Sequence, residues 1–435
     1  MPYAVPAAPV VQLALDFLNI DQAVRSAEEA VPAGLTWIEA GTPLIKSEGL
    51  EAVRRLRAAF PTATIIADMK VMDAGRTEVE AAKKAGADIV TVLAATTDAT
   101  LRECVAAGHH VGVAICADLV GVADPAGRAR ACQDAGVDLV SVHTPIDQQM
   151  QGDPGKTLDV LRAVAAAVSI PVACAGGLTA LTIGPAVAAG ARVLIVGGTI
   201  TKAPSPRVAA AQILAAAAGA PVVASGGTRV GLDRIREVIA KVSTPNLSDA
   251  FHRGGALRGF TNRNPAARLC GPAVTVLAAA GDWSKPVQAI DLCKPGDVLV
   301  IDAGDGFPAL WGGLASLTAV QRKLGGVVIS GACRDLTEIT ACGLALWSTK
   351  ACPDAGEPRG VGVINVPVHI GGRDIRPGDW IVGDADGLVA IPAKEIVEVA
   401  NRAADVAERE ERLAAEIRAG RTLAGVAELK KWEQR

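Results

Sequence analysis

The chain has 435 residues, enough for two domains or three, and half of them are hydrophobic while only 3% are aromatic, so its core must be built from Ala, Val, Ile and Leu in the manner of layered α/β packing. Its 43 basic and 46 acidic residues leave a formal charge of −3, and no Lys/Arg block with interleaved aromatics occurs, which excludes nucleic acid as an evident partner. Nine cysteines stand singly without a C-x-x-C pair, as reduced thiols do, and with no signal-peptide pattern after Met1-Pro2-Tyr3-Ala4 and no apolar run of about 18 residues the expectation is a soluble, cytoplasmic protein with no membrane partner.

Val11 to Leu15 is the first strand expected. It ends in Asp16 and carries no glycine before Asn19, which argues against a dinucleotide-binding open sheet. One phrase then recurs: Ala33-Gly34-Leu35-Thr36-Trp37-Ile38, Ala85-Gly86-Ala87-Asp88-Ile89-Val90, Ala135-Gly136-Val137-Asp138-Leu139-Val140 and Ala189-Gly190-Ala191-Arg192-Val193-Leu194, with starts 52, 50 and 54 residues apart. In each, the glycine suits the left-handed position just past a helix and the apolar residues begin a strand. Between these joints lie further strands at Thr64 to Ala67, Val111 to Cys116 and Ile170 to Ala175, with helices expected at Glu48 to Ala59 and Thr77 to Ala85. Eight such runs predict an α/β fold whose N-terminal part is a (β/α)8 barrel over residues 1–218, closed by a helix from Pro204 to Ala218.

The third run continues into Asp68-Met69-Lys70-Val71-Met72-Asp73. Strand alternation puts Asp68 and Lys70 on one face and Met69 on the other, with Asp73 past the strand. An acid and a cation at such a tip fit the catalytic mouth of a barrel; the alternative is a salt bridge kept for structure. Other runs end in Asp16, Glu39, Asp118 and His143. Strands seven and eight end in Gly176-Gly177 and Gly197-Gly198, whose backbone N–H groups suit an anion and imply a phosphorylated substrate. Glu39 and Asp68 together could hold a hard divalent ion such as magnesium. His109 and His110 precede strand five and are expected at the surface.

Residues 219–231 read as a linker, broken at Gly219-Ala220-Pro221 and Ser225-Gly226-Gly227. A second domain, 232–435, opens with a helix from Leu232 to Lys241 and a cap at Ser243-Thr244-Pro245. Two turns, Lys294-Pro295-Gly296-Asp297 and Arg376-Pro377-Gly378-Asp379, deliver strands Val298 to Asp302 and Trp380 to Asp384. Val327 to Cys333 ends in Arg334-Asp335. These short mixed runs predict a compact β/β/α domain. A last helix presents Ile396, Val399, Ala403, Val406, Leu413 and Ile417 on one stripe, to be packed on its own domain or on another subunit.

In Leu13-Ala14-Leu15-Asp16, Ile38-Glu39-Ala40-Gly41-Thr42-Pro43-Leu44-Ile45-Lys46, Asp68-x-Lys70-x-x-Asp73, Ala173-Cys174-Ala175-Gly176-Gly177 and Val196-Gly197-Gly198, the first half resembles the 3-hexulose-6-phosphate synthases. These belong to the orotidine monophosphate decarboxylase superfamily together with 3-keto-L-gulonate-6-phosphate decarboxylase. The resemblance implies Glu39 and Asp68 as Mg2+ ligands, Asp16 and Lys70 on substrate hydroxyls, and Asp73 reaching a neighbouring subunit's site in a homo-oligomer. It implies His143 as general base, with Asp118 in the substrate-binding set and next in line as base. Thr144-Pro145 departs from the family's usual glycine after that histidine. The implied reaction condenses formaldehyde with ribulose 5-phosphate through an enediolate, with decarboxylation of 3-keto-L-gulonate 6-phosphate as the alternative.

The second half, in Thr244-Pro245-Asn246-Leu247-Ser248-Asp249, Gly304-Asp305, Trp311-Gly312-Gly313-Leu314-Ala315, Gly331-Ala332-Cys333-Arg334-Asp335 and Gly383-Asp384-Ala385-Asp386-Gly387, resembles the family of the regulator of ribonuclease activity A and 4-hydroxy-4-methyl-2-oxoglutarate aldolase, whose fold is a swivelling β/β/α domain. The resemblance implies a keto-acid held by the amides of Gly312, Gly313, Leu314 and Ala315 and by Arg334, with Mg2+ on Asp335. Gly313 stands where those aldolases commonly carry an acid, so a keto-acid lyase and a domain kept for assembly or regulation are both open.

Overall fold

The computed structural model describes residues 5–145, 155–203, 205–221, 230–427 and 429, which fall into two compact units, 1–229 and 230–435. In the first, β1 (Val10–Leu15), β2 (Trp37–Ala40), β3 (Thr64–Val71), β4 (Ile89–Leu93), β5 (Ala114–Asp118), β6 (Leu139–His143), β7 (Val172–Ala175) and β8 (Val193–Val196) close into a parallel barrel in chain order. The strands are apolar almost throughout because both faces are covered. One face packs on the helices, while Val10, Trp37, Ile66, Ile89, Ala114, Cys116, Leu139, Ala173 and Val193 fill the barrel floor. Two residues further along, the same inward face turns polar, with Gln12, Glu39, Asp68, Thr91, Asp118 and Ser141 all buried.

The four repeated joints are helix-to-strand turns, with Gly34, Gly86, Gly136 and Gly190 at φ of 115°, 107°, 93° and 105°. Two of the phrases share a second device. The Asp88 carboxylate accepts the Ile65 N–H at 2.9 Å and that of Asp138 accepts the Ile115 N–H at 2.8 Å, pinning the starts of adjacent strands.

Several expected boundaries move. The helix expected from Glu48 to Ala59 spans Glu51–Ala59, and a separate helix, Thr42–Glu48, precedes it across Gly49 at φ 65° and Leu50. Strand five begins at Ala114 because Val111 still belongs to the preceding helix, Asp98–Val111, which Gly112 caps in the left-handed conformation. The last barrel helix spans Pro206–Ala217. Residues 204 and 222–229 lie outside the described residues, so most of the expected linker does too.

The second unit carries β9 (Ala256–Leu257), β10 (Thr261–Asn262), β11 (Leu269–Ala278), β12 (Val298–Asp302), β13 (Gly326–Cys333), β14 (Leu346–Ala351), β15 (Gly362–Ile364), β16 (Val368–Ile370), β17 (Arg373–Ile375), β18 (Trp380–Asp384) and β19 (Gly387–Ile391). Nine form one mixed sheet in the order β10-β14-β13-β12-β11-β18-β19-β9, with β15 also on β11, and β16 pairs with β17. The centre, β11 to β14, is parallel and the flanks antiparallel. Both Pro-Gly-Asp turns work alike: Asp297 accepts the Lys294 N–H at 2.7 Å and Asp379 that of Arg376 at 2.8 Å. The opening helix is shorter than expected, Ile235–Ile239 after a single turn of 3-10 helix. Ser243 caps the next, Thr244–Ala250, whose Thr244 hydroxyl and N–H donate to Asp384 at 2.6 and 2.8 Å. The final long helix, Ile396–Arg418, buries Ile396, Val399 and Ala403 in one cluster with Ile235, Ile239 and Leu247 of its own unit. No described helix is long and apolar enough to cross a membrane, and all nine cysteines are unpaired.

Candidate active site

The mouth of the barrel gathers the polar strand ends around β3. Regular alternation does not run through Lys70: the register with β4 breaks between Ala67 and Val71, and Lys70 sits at φ 46°. Its side chain nevertheless comes back to Asp68, with Nζ 3.0 and 2.9 Å from the two carboxylate oxygens. The same Nζ donates to Asp118 Oδ2 at 3.0 Å, and that oxygen lies 2.9 Å from His143 Nδ1. The other Asp118 oxygen accepts the Val120 N–H at 2.9 Å. One chain of contacts therefore runs Asp68, Lys70, Asp118, His143 across three strands.

The electrostatics follow from this packing. Burial opposes ionisation of Asp118, yet the hydrogen bond and charge of His143, joined by Lys70, hold its pKa down at about 2. Burial likewise works against the charge on Lys70, and the flanking Asp68 and Asp118 overcome it, raising the pKa of the ammonium. Glu39, buried on β2, is pushed well above the usual carboxylate range by burial first and then by the charges of Asp68 and Asp16, partly offset by the Gln12 amide that donates to it at 2.5 Å. Asp16 is raised by the surrounding protein and by Asp68, although its exposed position lets water in the mouth screen the effect. It lies between two glycines: a Cβ on Gly41 would fall 2.2 Å from its Oδ1, and one on Gly197 3.5 Å from its Oδ2.

Asp16, Glu39 and Asp68 thus crowd beside one lysine, and their mutual repulsion, which raises Glu39 and Asp16, is what a divalent cation among these hard oxygen donors would relieve. Among the described residues no three His, Cys, Asp or Glu side chains form a ready-made metal cage. A magnesium ion here would be held by Glu39 and Asp68 and completed by water and substrate oxygens.

At the ends of β7 and β8, Gly176 and Gly177 adopt φ of 108° and 67°, and Gly197 precedes the short helix Gly198–Thr201. The Thr199 hydroxyl donates to the Leu178 carbonyl at 2.7 Å and ties the two loops together. Asp73 is exposed, accepts its neighbour Ala74's N–H, and is not drawn into the cluster of its own chain. His109 and His110 are exposed, His109 facing Asp138 at 3.5 Å. Pro145 ends the described part of the loop after β6.

Three contacts in this mouth are not foreshadowed by the sequence pattern. Gln12 touches Glu39, and the hydroxyls of Thr42 and Thr91 each lie 2.6 Å from an Asp68 oxygen. The available signal was a single polar residue within each apolar strand, at Gln12 and Thr91.

In the second unit, Gly312 precedes the helix Gly313–Gln321. Asp335, at φ 60°, receives the Gly313 N–H on Oδ2 at 2.9 Å and lies 3.6 Å from the Arg334 guanidinium. The first helical bond is from Ser316 to Gly312, so the N–H groups of Leu314 and Ala315 have no acceptor within the helix. A Cβ on Gly313 would meet Glu338 Cβ at 3.1 Å, so Glu338 of the helix Leu336–Ala341 packs beside position 313. Glu338 carries no distinguishing mark in the sequence, although it lies one helical turn after Asp335. Asp335 offers a single carboxylate, one oxygen of which is already engaged.

A parallel barrel with an acid, a lysine, a second acid and a histidine linked at its C-terminal mouth carries the groups an enzyme needs for proton transfer and for stabilising an oxyanion. Residues 9–213 match the orotidine 5'-phosphate decarboxylase / HUMPS family and residues 244–390 match the RraA-like family, described as Aldolase/RraA. The chain is 39% identical over 209 residues to the 3-hexulose-6-phosphate synthase of Mycobacterium gastri, covering 48% of this chain and 99% of that protein. It is 38% identical to the Bacillus subtilis 3-hexulose-6-phosphate synthase, covering 44% and 90%. A solved structure of the RNA-processing inhibitor RraA from Thermus thermophilis is 30% identical over 34% of this chain and 92% of that one, with a TM-score of 0.33. The protein belongs to the orotidine 5'-phosphate decarboxylase / HUMPS family, among the 3-hexulose-6-phosphate synthase homologues, with an RraA-like domain in its second half.

Proposed function

We propose that the barrel condenses formaldehyde with D-ribulose 5-phosphate to give D-arabino-hex-3-ulose 6-phosphate. The observation that carries this reading is the Asp68–Lys70–Asp118–His143 chain, set in a barrel with 39% identity to a 3-hexulose-6-phosphate synthase. A magnesium ion on Glu39 and Asp68 would supply Lewis-acid charge to the sugar's C2 and C3 oxygens. Asp118 orients the His143 ring through Nδ1, which leaves Nε2 to take a proton from C1. Lys70 adds positive charge beside the oxyanion of the resulting enediolate, whose C1 then attacks the carbon of formaldehyde. Asp16 orients a sugar hydroxyl, the glycine loops after β7 and β8 take the phosphate, and Asp73 completes the site of a second subunit. The test is magnesium-dependent exchange of the C1 proton of ribulose 5-phosphate in deuterated water without formaldehyde; absence of exchange would remove this mechanism.

For the second unit, a magnesium-dependent lyase acting on a small keto-acid fits best. Support comes from the start of the helix Gly313–Gln321, where the Leu314 and Ala315 N–H groups have no helical acceptor, and from Arg334 near Gly312, since such amides and a guanidinium fork both favour a carboxylate. Asp335 would hold the ion. Release of pyruvate from 4-hydroxy-4-methyl-2-oxoglutarate, or decarboxylation of oxaloacetate, above the metal-only rate tests it; neither activity would favour an assembly role.

A further inference from the structure

We infer that Thr91 is a positioning residue for the barrel's reaction, holding both the Asp68 carboxylate and the bent backbone at Lys70; this rests on the synthase reading of the mouth. Where β3 loses register with β4, the Lys70 N–H donates to Thr91 Oγ1 at 3.1 Å, and the Thr91 hydroxyl donates to Asp68 Oδ1 at 2.6 Å. A hydroxyl has one hydrogen and two lone pairs, so it serves both partners at once and in a fixed sense. The two partners are the metal-ligand carboxylate and the residue that carries the lysine.

Lys70 at φ 46° is in a conformation that L-residues seldom adopt and that persists only where the surroundings over-determine it. Thr91 is 8% exposed and β-branched, so its side chain has little freedom to let go. The Thr42 hydroxyl, 2.6 Å from Asp68 Oδ2 and 2.9 Å from the Asp68 carbonyl oxygen, supports the same carboxylate but makes no contact with the Lys70 backbone. Lys70 Nζ meets the Asp68 carboxylate directly, and of the two hydroxyls on that carboxylate Thr91 is the one that also ties it to the Lys70 backbone, from which the side chain sets out. Without its hydroxyl, Asp68 rotates and the lysine loses the bend that aims it at Asp118.

Thr91→Val keeps the shape and removes both polar contacts, whereas Thr91→Ser keeps them. In full-length protein, Thr91→Val should lower kcat for hexulose phosphate formation roughly 10- to 100-fold, the usual worth of a group that orients a metal ligand. The KM for ribulose 5-phosphate, set mainly by the phosphate loops, should move by less than about threefold on the same grounds. Affinity for Mn2+, read by titration of the protein alone, should fall by a similar 10- to 100-fold. Thr91→Ser should stay within about threefold of wild type in both. Wild-type kcat and Mn2+ affinity in Thr91→Val would overturn the inference, as would equal damage in Ser and Val, which would assign the effect to packing. If wild-type protein makes no hexulose phosphate, the synthase reading fails while the Mn2+ titrations of the two variants still decide the role of Thr91.

Discussion

His143 takes its meaning from what stands behind it. With Nδ1 held 2.9 Å from a buried Asp118, the ring has one nitrogen left for chemistry, and His143→Ala should slow C1 exchange by about 10²–10⁴, the worth of a positioned base, without abolishing sugar phosphate binding. Deuterium exchange followed by NMR measures this; unchanged exchange would hand the role to another group. Asp118 also makes a pH prediction. Its folded pKa of about 2 lies below the ordinary value of 3.8, so its stabilising contribution is complete above pH ~4 and is lost as pH falls through about 2. Denaturant unfolding of wild type and Asp118→Asn should therefore show a stability difference that shrinks by about 2 kcal/mol between pH 5 and pH 2. A constant difference would mean that the carboxylate is not held by His143 and Lys70. Asp16, Glu39, Asp118 and His143 were legible because each is a polar residue ending an apolar run, and Asp68 and Lys70 because an acid and a cation stand two residues apart at the end of one. Gln12 and Thr91 were not, because their roles depend on the register between strands, which no single strand encodes, and Thr42 was not, because its contact depends on how the helix after β2 starts over the end of β3.

At the level of elements, the repeated Ala-Gly joints carried most of the barrel. Gly86 shows why: at φ 107°, a Cβ would come within 2.8 Å of Arg57 Cγ, whose guanidinium bonds Asp88 and the Gly86 carbonyl at the start of β4. Gly184 offers the opposite case, inside the helix Ala180–Ala188 with nothing within 4 Å of the place a Cβ would take. Gly86→Ala should cost about 1–2 kcal/mol and lower the thermal midpoint, while Gly184→Ala should add about 0.5–1 kcal/mol. Calorimetry of the two variants checks both signs; equal shifts would refute the assignment of Gly86 as a conformational requirement. The same rule explains the missed break at Gly49. Apolar spacing runs through Glu48 to Ala59, and the positive φ of Gly49, followed by Leu50, separates one helix from the next. In the second unit the two Pro-Gly-Asp turns announced their strands, yet the order of the nine-stranded sheet was hidden, since it depends on pairing between segments as distant as β11 and β18.

For the whole molecule, each of the two compact units has its own family match. Groups in independent sites act additively, so damage at Asp335 should leave the barrel's activity untouched. Loss of the Asp68 carboxylate removes the partner of Lys70 and, on the proposed reading, a magnesium ligand, and should cost roughly 10²–10³ in rate. The most direct measurement follows 13C-labelled formaldehyde with ribulose 5-phosphate and magnesium in full-length wild type, Asp68→Asn and Asp335→Ala. The label should appear in C1 of hexulose 6-phosphate with wild type and with Asp335→Ala, and be nearly absent with Asp68→Asn or with chelator. No labelled hexulose phosphate from wild type, or undiminished labelling by Asp68→Asn, would contradict the account.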